Sequence, residues 1–246
     1  MTAHNPAKVI AITGASSGIG EAAARRLAAD GHRLLLGARR TERLSRLARE
    51  LTAAGGTVAA ERLDVTDAAD VRDFVACARE HYGRVDVMVN NAGVMPLSPL
   101  AALRTDEWDR MIDVNVRGVL HGIAAALPVM RGQGGGHIVN IASVGAYEVS
   151  PTAAVYCATK FAVRAISEGL RQESAGDIRV TLVSPGVTES ELAEGITDPA
   201  AREAMKAYRA AALPASAIAD AIAYAVAQPP QVDVNEIVVR PTASAQ

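Results

Sequence analysis

Short apolar runs alternate with longer helical patterns along the whole chain. The short runs are rich in Val, Ile and Leu and show little polar alternation, as buried strands of a parallel sheet do. They predict strands at Val9–Thr13, Arg33–Leu36, Thr57–Leu63, Val85–Val89, His137–Ala142, Arg179–Val183 and Glu236–Val239. The stretches between them predict helices at Gly20–Asp30, Glu42–Ala54, Ala68–Tyr82, Thr105–Met130, Ala153–Ala175 and Ala215–Ala227. Repeated strand–helix units with right-handed crossovers predict an α/β doubly wound parallel sheet of about seven strands, with helices on both faces.

Composition adds few constraints to this picture. The 246 residues suit one domain spanning 1–246, and no repeat or linker divides them. A net charge of −2 favours neither nucleic acid nor an anionic membrane as a partner. The apolar stretch Val9–Ile12 is only strand-sized, so we expect no signal peptide and no membrane span. Cys77 and Cys157 form no spaced pair and the histidines show no zinc spacing, which predicts a cytoplasmic protein without a metal.

A glycine-rich turn follows the first predicted strand and leads directly into a helix. The spacing G-x3-G-x-G differs from the more familiar G-x-G-x-x-G, and a plain tight turn is the alternative interpretation. Glycines allow close approach of a phosphate, and the helix N-terminus offers it free N–H groups. The context therefore predicts a Rossmann-type dinucleotide site. Its candidate residues are Gly14, Ser16, Ser17, Gly18, Ile19 and Gly20.

The second predicted strand is followed by Arg39 and Arg40, with no acidic residue there to bind a ribose 2′-hydroxyl. Two guanidinium groups suit a 2′-phosphate, which a carboxylate would repel. This pair predicts NADPH/NADP⁺ rather than NADH as the cofactor. The alternative is a solvated pair of charges at a helix entrance.

Six motifs in order make the chain resemble the short-chain dehydrogenase/reductase superfamily. They are the turn Thr13–Gly20, the segment Asn90–Gly93, Asn115, Ser143, the Tyr156-x3-Lys160 pair, and Pro185-Gly186. The arginine pair and the ending Val234–Pro241 resemble its NADP-dependent 3-hydroxy-acid and aldehyde reductase branch. The resemblance implies further cofactor contacts at Asp64, Val65, Asn91, Ala92, Gly93, Pro185, Gly186, Val187 and Thr188. Asp64 could instead cap the helix that follows Thr66. Many relatives have one more residue before Thr188, at the entrance to the expected lid.

Tyr156 and Lys160 stand four residues apart in a predicted helix, so they share one face. Ser143 follows a predicted strand, at the carboxyl end of the sheet where ligands of such folds bind. Carbonyl reduction needs a proton at oxygen, and a nearby ammonium group makes a phenol a better acid. Ser143 would stabilise the developing charge on oxygen. By resemblance, Lys160 also binds the nicotinamide ribose and Asn115 holds a water. Purely structural roles for each residue are the alternative.

The segment 187–213 is expected to be a lid over the substrate, and residues 1–142 and 143–246 to form the cofactor and catalytic halves. The predicted substrate pocket is apolar, with Met95, Val144, Ala146, Tyr147, Val149, Leu192 and Met205 as candidates. Arg202, Lys206 and Arg209 either reach a substrate carboxylate or face solvent. The expected activity is NADPH-dependent reduction of an aldehyde, ketone or keto acid. A catalytically idle NADPH-binding regulator is the alternative, and the resemblance implies a homotetramer.

Overall fold

The computed structural model describes residues 6–174 and 176–243. Its strands are β1 (Val9–Thr13), β2 (Arg33–Ala38), β3 (Thr57–Arg62), β4 (Val87–Asn90), β5 (Gly136–Ile141), β6 (Ile178–Pro185) and β7 (Glu236–Val239). They form one sheet in the order β3-β2-β1-β4-β5-β6-β7, and every neighbouring pair is parallel. The predicted fold class is confirmed. The division into a cofactor half and a catalytic half stays a prediction.

The helices lie on both faces of this sheet. They are α1 (Gly18–Ala29), α2 (Thr41–Ala53), α3 (Ala68–Tyr82), α4 (Thr105–Ile112), α5 (Gly118–Gly132), α6 (Ala154–Glu173), α7 (Pro199–Tyr208) and α8 (Ala215–Ala227). Helices α1, α2 and α8 cover one face, while α3, α5 and α6 cover the other. Both cores consist almost wholly of Ala, Val, Leu, Ile and Met, as the low aromatic content requires.

Most boundaries differ from the sequence prediction by one or two residues, and the long helices and β4 are examples. The predicted helix Thr105–Met130 is two helices joined by a π turn at Asp113–Arg117. Helix α6 ends at Glu173, and the predicted end at Ala175 lies outside the described residues. Strand β4 begins at Val87, and directly before it the carboxylate of Asp86 accepts the backbone N–H of Val9 at 2.8 Å.

The continuous helical run Thr105–Gly132 is long and apolar enough to cross a membrane by length and composition alone. About a third of its apolar window, 33%, is buried in the fold. Val119, Ile123 and Met130 pack in the core between this run and the sheet. Such packing is typical of a helix in a globular core, and the absence of a membrane span stays a prediction.

Candidate active site

A deep crevice opens at the carboxyl ends of the strands, where the strand order reverses between β1 and β4. Ligands of open α/β sheets bind at this position. The crevice encloses about 740 Å³, which is within the roughly 300–1,000 Å³ of small-molecule sites. In the part of the chain that the structure describes, no group of three or more His, Cys, Asp or Glu side chains is placed to hold a metal ion.

The glycine turn borders the crevice: Gly14, Ser16, Ser17 and Gly18 line it, whereas the predicted Gly20 does not, and neither Gly14 nor Gly20 has room for a side chain. A Cβ on Gly20 would lie 2.4 Å from the carbonyl oxygen of Gly14 and 2.5 Å from Asn91 Nδ2. Gly14 has φ +67°, and a Cβ there would lie 2.8 Å from Ala92 Cα. Asn91 ties the turn to β4, because its Nδ2 donates to the carbonyls of Thr13 and Gly14 at 2.9 and 3.1 Å. The turn is thus held rigid while helix α1 begins at Gly18 and directs its N-terminus into the crevice.

The two arginines after β2 have different surroundings. Both line the crevice, and Arg39 makes no hydrogen bond or ion pair with another described residue. Arg40 makes hydrogen bonds within the chain from each of its three nitrogens. Its Nε donates to Ser16 Oγ at 3.2 Å, and its Nη2 donates to Ser17 Oγ at 2.6 Å. Its Nη1 lies 2.5 Å from Glu191 Oε2, across the crevice. Arg39 is therefore the arginine that is free to meet a ligand anion.

The remaining predicted cofactor residues lie along the same crevice. All of them line it: Ile19, Asp64, Val65, Asn91, Ala92, Gly93, Pro185, Gly186, Val187 and Thr188. Asp64 closes a local turn, since its Oδ1 accepts from the N–H and hydroxyl of Thr66 at 3.1 and 2.8 Å. The helix cap that sequence left open for Asp64 belongs instead to Asp67, which accepts from Ala69 N and Asp70 N. Asp64 Oδ2 is thus left for a ligand.

Ser143 and Tyr156 converge at the middle of the crevice. Ser143 follows β5, and its Oγ accepts from Gly145 N at 3.1 Å. Tyr156 enters from the first turn of α6. Gly145 lies between them: a Cβ there would be 3.5 Å from Ser143 Oγ and 3.6 Å from Tyr156 Cε1. The serine hydroxyl and the phenol ring therefore border the same small volume, as an oxygen-binding site requires.

Lys160 lies one helical turn beyond Tyr156, with its Nζ 5.7 Å from the ring centroid. The ammonium group donates to the carbonyl of Ile141 at 2.9 Å and also faces the crevice. Burial raises the pKa of Tyr156 to about 12, an effect that a hydrogen bond with Ser143 partly offsets. Burial also lowers the pKa of Lys160 to about 8. The expectation that Lys160 lowers the tyrosine pKa is thus not met in this structure, because desolvation of the buried phenol is the largest effect on its pKa.

Asn115 lies in the π turn between α4 and α5, and such turns are frequent at functional sites. Its Oδ1 accepts from Val94 N at 2.8 Å. Its Nδ2 donates to the carbonyl of Val94 at 2.9 Å and to Thr159 Oγ1 at 3.1 Å. Thr159 in turn donates to the carbonyl of Tyr156 at 2.6 Å. The amide therefore braces the loop after β4 against the turn that carries Tyr156, and the water expected at Asn115 stays a prediction.

The lid is folded over the crevice, and its ends are joined. Thr188 and Leu213 form an isolated parallel bridge, and Leu213 N donates to the carbonyl of Val187 at 2.9 Å. Helix α7, which the sequence analysis did not identify, lies inside the lid. Thr197 Oγ1 donates to Glu107 Oε1 on α4 at 2.5 Å, and Ile196 is fully buried beside Leu97 and Met111. The lid is thus anchored at its base and against α4.

Four of the seven candidate residues of the substrate pocket line the crevice, and their contact with a substrate stays a prediction. Met95, Val144, Leu192 and Met205 line the crevice. Ala146, Tyr147 and Val149 do not: Ala146 is fully buried in the core, and Val149 is 62% exposed. The Tyr147 hydroxyl instead bonds Ser184 Oγ at 3.1 Å and Glu236. Ala146 lies in the short helical turn Val144–Ala146 and Tyr147 directly follows it, and sequence spacing does not reveal this turn.

Two features of the site were missed from sequence. A buried ladder joins β4, β5 and α6, since Asn90 Nδ2 donates to Asn140 Oδ1 and Asn140 Nδ2 to Ser167 Oγ, both at 2.8 Å. The sequence does indicate this ladder, because each of these asparagines lies in an otherwise apolar strand. The second feature is Glu191, which meets Arg40 and Arg43 across the crevice. No local pattern identifies a contact between residues so distant in sequence.

The residues present fit a nicotinamide dinucleotide. Gly14 and Gly18, both at positive φ, line the crevice at the N-terminus of α1, where a pyrophosphate would meet backbone N–H groups. Asp64 lies where it can accept from an adenine amine, and Arg39 is free beside it. Ser143, Tyr156 and Lys160 line the same crevice.

Comparison with known proteins agrees with this geometry. A family model described as short chain dehydrogenase matches residues 8–201. An uncharacterised oxidoreductase of Staphylococcus saprophyticus is 46% identical over 238 residues, covering 96% of each chain. An alcohol dehydrogenase of Thermococcus sibiricus, solved with 5-hydroxy-NADP, is 34% identical, with a TM-score of 0.87 over 98% of this chain and 99% of its own. A short-chain dehydrogenase/reductase of Burkholderia phymatum, solved with NAD, is 30% identical, with a TM-score of 0.88 over 94% and 88%.

Proposed function

The chain belongs to the short-chain dehydrogenase family of oxidoreductases, and from that premise we propose that it reduces a small carbonyl compound reversibly to the alcohol, with NADPH as hydride donor. The observation that carries this proposal is the convergence of Ser143, Tyr156 and Lys160 on a crevice shaped for a dinucleotide. The Thermococcus sibiricus alcohol dehydrogenase, bound to an NADP derivative, supports it.

Most of the crevice would hold the cofactor. Gly14–Gly20 would receive the pyrophosphate at the N-terminus of α1, and Arg39 would bind the ribose 2′-phosphate. Lys160 faces the crevice where a nicotinamide ribose would lie, while Val187 and Thr188 line it at the lid base. When bound, the reduced nicotinamide supplies the hydride.

The chain's own residues handle the proton. Ser143 Oγ would donate to the carbonyl oxygen, stabilising negative charge as it develops. Tyr156, whose burial keeps it protonated at neutral pH, would pass its phenolic proton to that oxygen. Lys160, with its pKa lowered to about 8 by burial, remains largely an ammonium group at pH 7 and favours the phenolate that results. Asn115 acts as a positioning residue through Thr159 and the Tyr156 carbonyl.

The substrate end of the crevice favours an uncharged, apolar carbonyl compound. Its walls are apolar: Met95, Leu97, Pro151, Leu192, Ala204, Met205 and Tyr208. The lid cations are used elsewhere, since Arg202 donates to the carbonyl of Ile196 at 3.0 and 2.6 Å and Lys206 pairs with Glu203 at 2.9 Å. Arg209 lines the crevice but donates to the carbonyl of Ser190 at 2.7 Å. A ketone or aldehyde with an apolar body therefore fits better than a keto acid.

We further propose that the protein is a cytoplasmic homotetramer. Apolar side chains remain on the outer faces of the helices expected to meet other subunits, with Ile112 41%, Leu120 43% and Phe161 39% exposed. Both cysteines are free, as in a reducing compartment. Light scattering at micromolar concentration is expected to give four times the 25.5 kDa chain mass. A stable monomer contradicts the assembly but not the activity.

The activity is tested by following NADPH oxidation at 340 nm with a panel of aldehydes, ketones and keto acids. At least one apolar ketone or aldehyde should be reduced catalytically. Tight NADPH binding without turnover on any member would favour an idle regulator instead. Failure to bind either reduced cofactor would refute the proposed function altogether.

A further inference from the structure

One carboxylate of the lid joins two arginines on the opposite side of the crevice. Glu191 begins the short helical turn Glu191–Gly195. Its Oε2 lies 2.5 Å from Arg40 Nη1, and its Oε1 lies 2.5 Å from Arg43 Nη1. The lid also packs on the glycine turn here, since a Cβ on Gly18 would lie 3.2 Å from Ser190 Cβ. These ion pairs are thus a third anchor of the lid, beside the packing of Ser190 on the glycine turn.

The arginine held by Glu191 is part of the expected phosphate site. Arg40 also donates to Ser16 Oγ and Ser17 Oγ, so all three of its nitrogens are occupied within the chain. A ribose 2′-phosphate placed beside Arg39 would seek donors from Arg40 and the serine hydroxyls. Two of the five N–H donors of Arg40 remain for a phosphate, but its positive charge is already shared with the Glu191 carboxylate.

Charge makes this competition specific for a phosphorylated cofactor. Hydrogen bonds from Arg40 and then Arg43 lower the pKa of Glu191 to about 2, so its carboxylate is anionic at neutral pH. A phosphate monoester carries roughly −1.5 to −2 charges at that pH and would be repelled. A ribose 2′-hydroxyl carries no charge and would meet no such repulsion. Glu191 thus acts differently on the two nicotinamide cofactors.

Building on the proposed function, we propose that Glu191 is a specificity-determining residue of the cofactor site. Its carboxylate occupies, on Arg40 and Arg43, the positive charge that a ribose 2′-phosphate would use. The residue therefore weakens NADPH binding while sparing NADH. Arg39 supplies the phosphate affinity that remains, and release of Glu191 accompanies binding of NADPH.

The test replaces Glu191 with glutamine, which keeps size and removes charge, and measures cofactor binding without substrate. Dissociation constants for NADPH and NADH come from fluorescence titration of the reduced nicotinamide. Because both ion pairs of Glu191 are partly exposed, we expect their loss to raise the affinity for NADPH by only about 3–10-fold. The NADH value should change less than about twofold. Glu194→Gln is the matched control, because Glu194 lies in the same turn, is exposed and makes no ion pair among the described residues.

Opposing outcomes are readily distinguished. The proposal is overturned if Glu191→Gln leaves NADPH affinity unchanged or weakens it. It is also overturned if both cofactors tighten equally, because that result means the lid merely opened. Glu191→Ala removes the same carboxylate and must reproduce the selectivity change. If the wild-type protein binds neither cofactor, the proposed function fails before this inference is reached.

Discussion

Removing the Arg39 side chain tests cofactor selection with little disturbance to the fold. Arg39 lies at the end of β2, is exposed and lines the crevice. It makes no hydrogen bond or ion pair with another described residue, so Arg39→Ala breaks no described contact of that kind. Arg40 is a poorer target, because its loss would also release Ser16, Ser17 and Glu191.

The expected magnitude follows from the single interaction that Arg39 would make. A hydrogen bond to a charged group contributes about 1.5–3 kcal/mol, so Arg39→Ala should weaken NADPH binding roughly 10–100-fold. The NADH dissociation constant should hardly change, because no phosphate is present to lose. The ratio of the NADH to the NADPH dissociation constant should therefore fall by nearly the same roughly 10–100-fold.

Fluorescence titration with each reduced cofactor measures both constants on the same preparation. Arg46→Ala provides the control for loss of one positive charge, since Arg46 lies on α2 with its side chain 66% exposed and does not line the crevice. The reasoning is refuted if Arg39→Ala leaves the NADPH constant unchanged, or if the wild-type protein already binds NADH as tightly as NADPH.

Three further predictions follow from the site. Lys160 has a pKa lowered to about 8, so its ammonium form is lost as the pH rises through that value. The turnover number for reduction should therefore fall through about pH 8. A turnover number that stays constant up to about pH 10 contradicts this prediction. Asn115→Ala removes three hydrogen bonds of a buried side chain and should lower the free energy of unfolding by about 2–5 kcal/mol in denaturant melts, while exposed Asn235→Ala should not. Apolar ketones should exceed keto acids of equal length at least roughly 10-fold in kcat/KM, and the reverse order would mean that Arg209 binds substrate.

Sequence alone predicted what depends on short-range pattern. The apolar runs located all seven strands, and the glycine turn located the crevice, because both signals lie within a few residues. The spacing of Tyr156 and Lys160 placed them on one helix face that borders the crevice.

The features that the sequence analysis did not predict depend on contacts between distant residues and on burial. Tyr147 follows Ser143 closely, yet its hydroxyl meets Ser184 and Glu236 on β6 and β7. Glu191 finds Arg40 only because the lid folds back across the crevice. The raised pKa of Tyr156 likewise depends on burial, which sequence order does not report.

The most direct test of the account is the turnover of Tyr156→Phe on the best carbonyl substrate, measured as NADPH oxidation. The variant keeps the ring that packs beside Leu97 and Cys157 but removes the proton donor. Turnover should fall at least about 100-fold, within the roughly 10²–10⁴-fold range of general acid catalysis, while NADPH affinity is retained. Tyr147→Phe, altered outside the crevice, should keep near-normal turnover. Near-normal turnover by Tyr156→Phe would contradict the proposed mechanism.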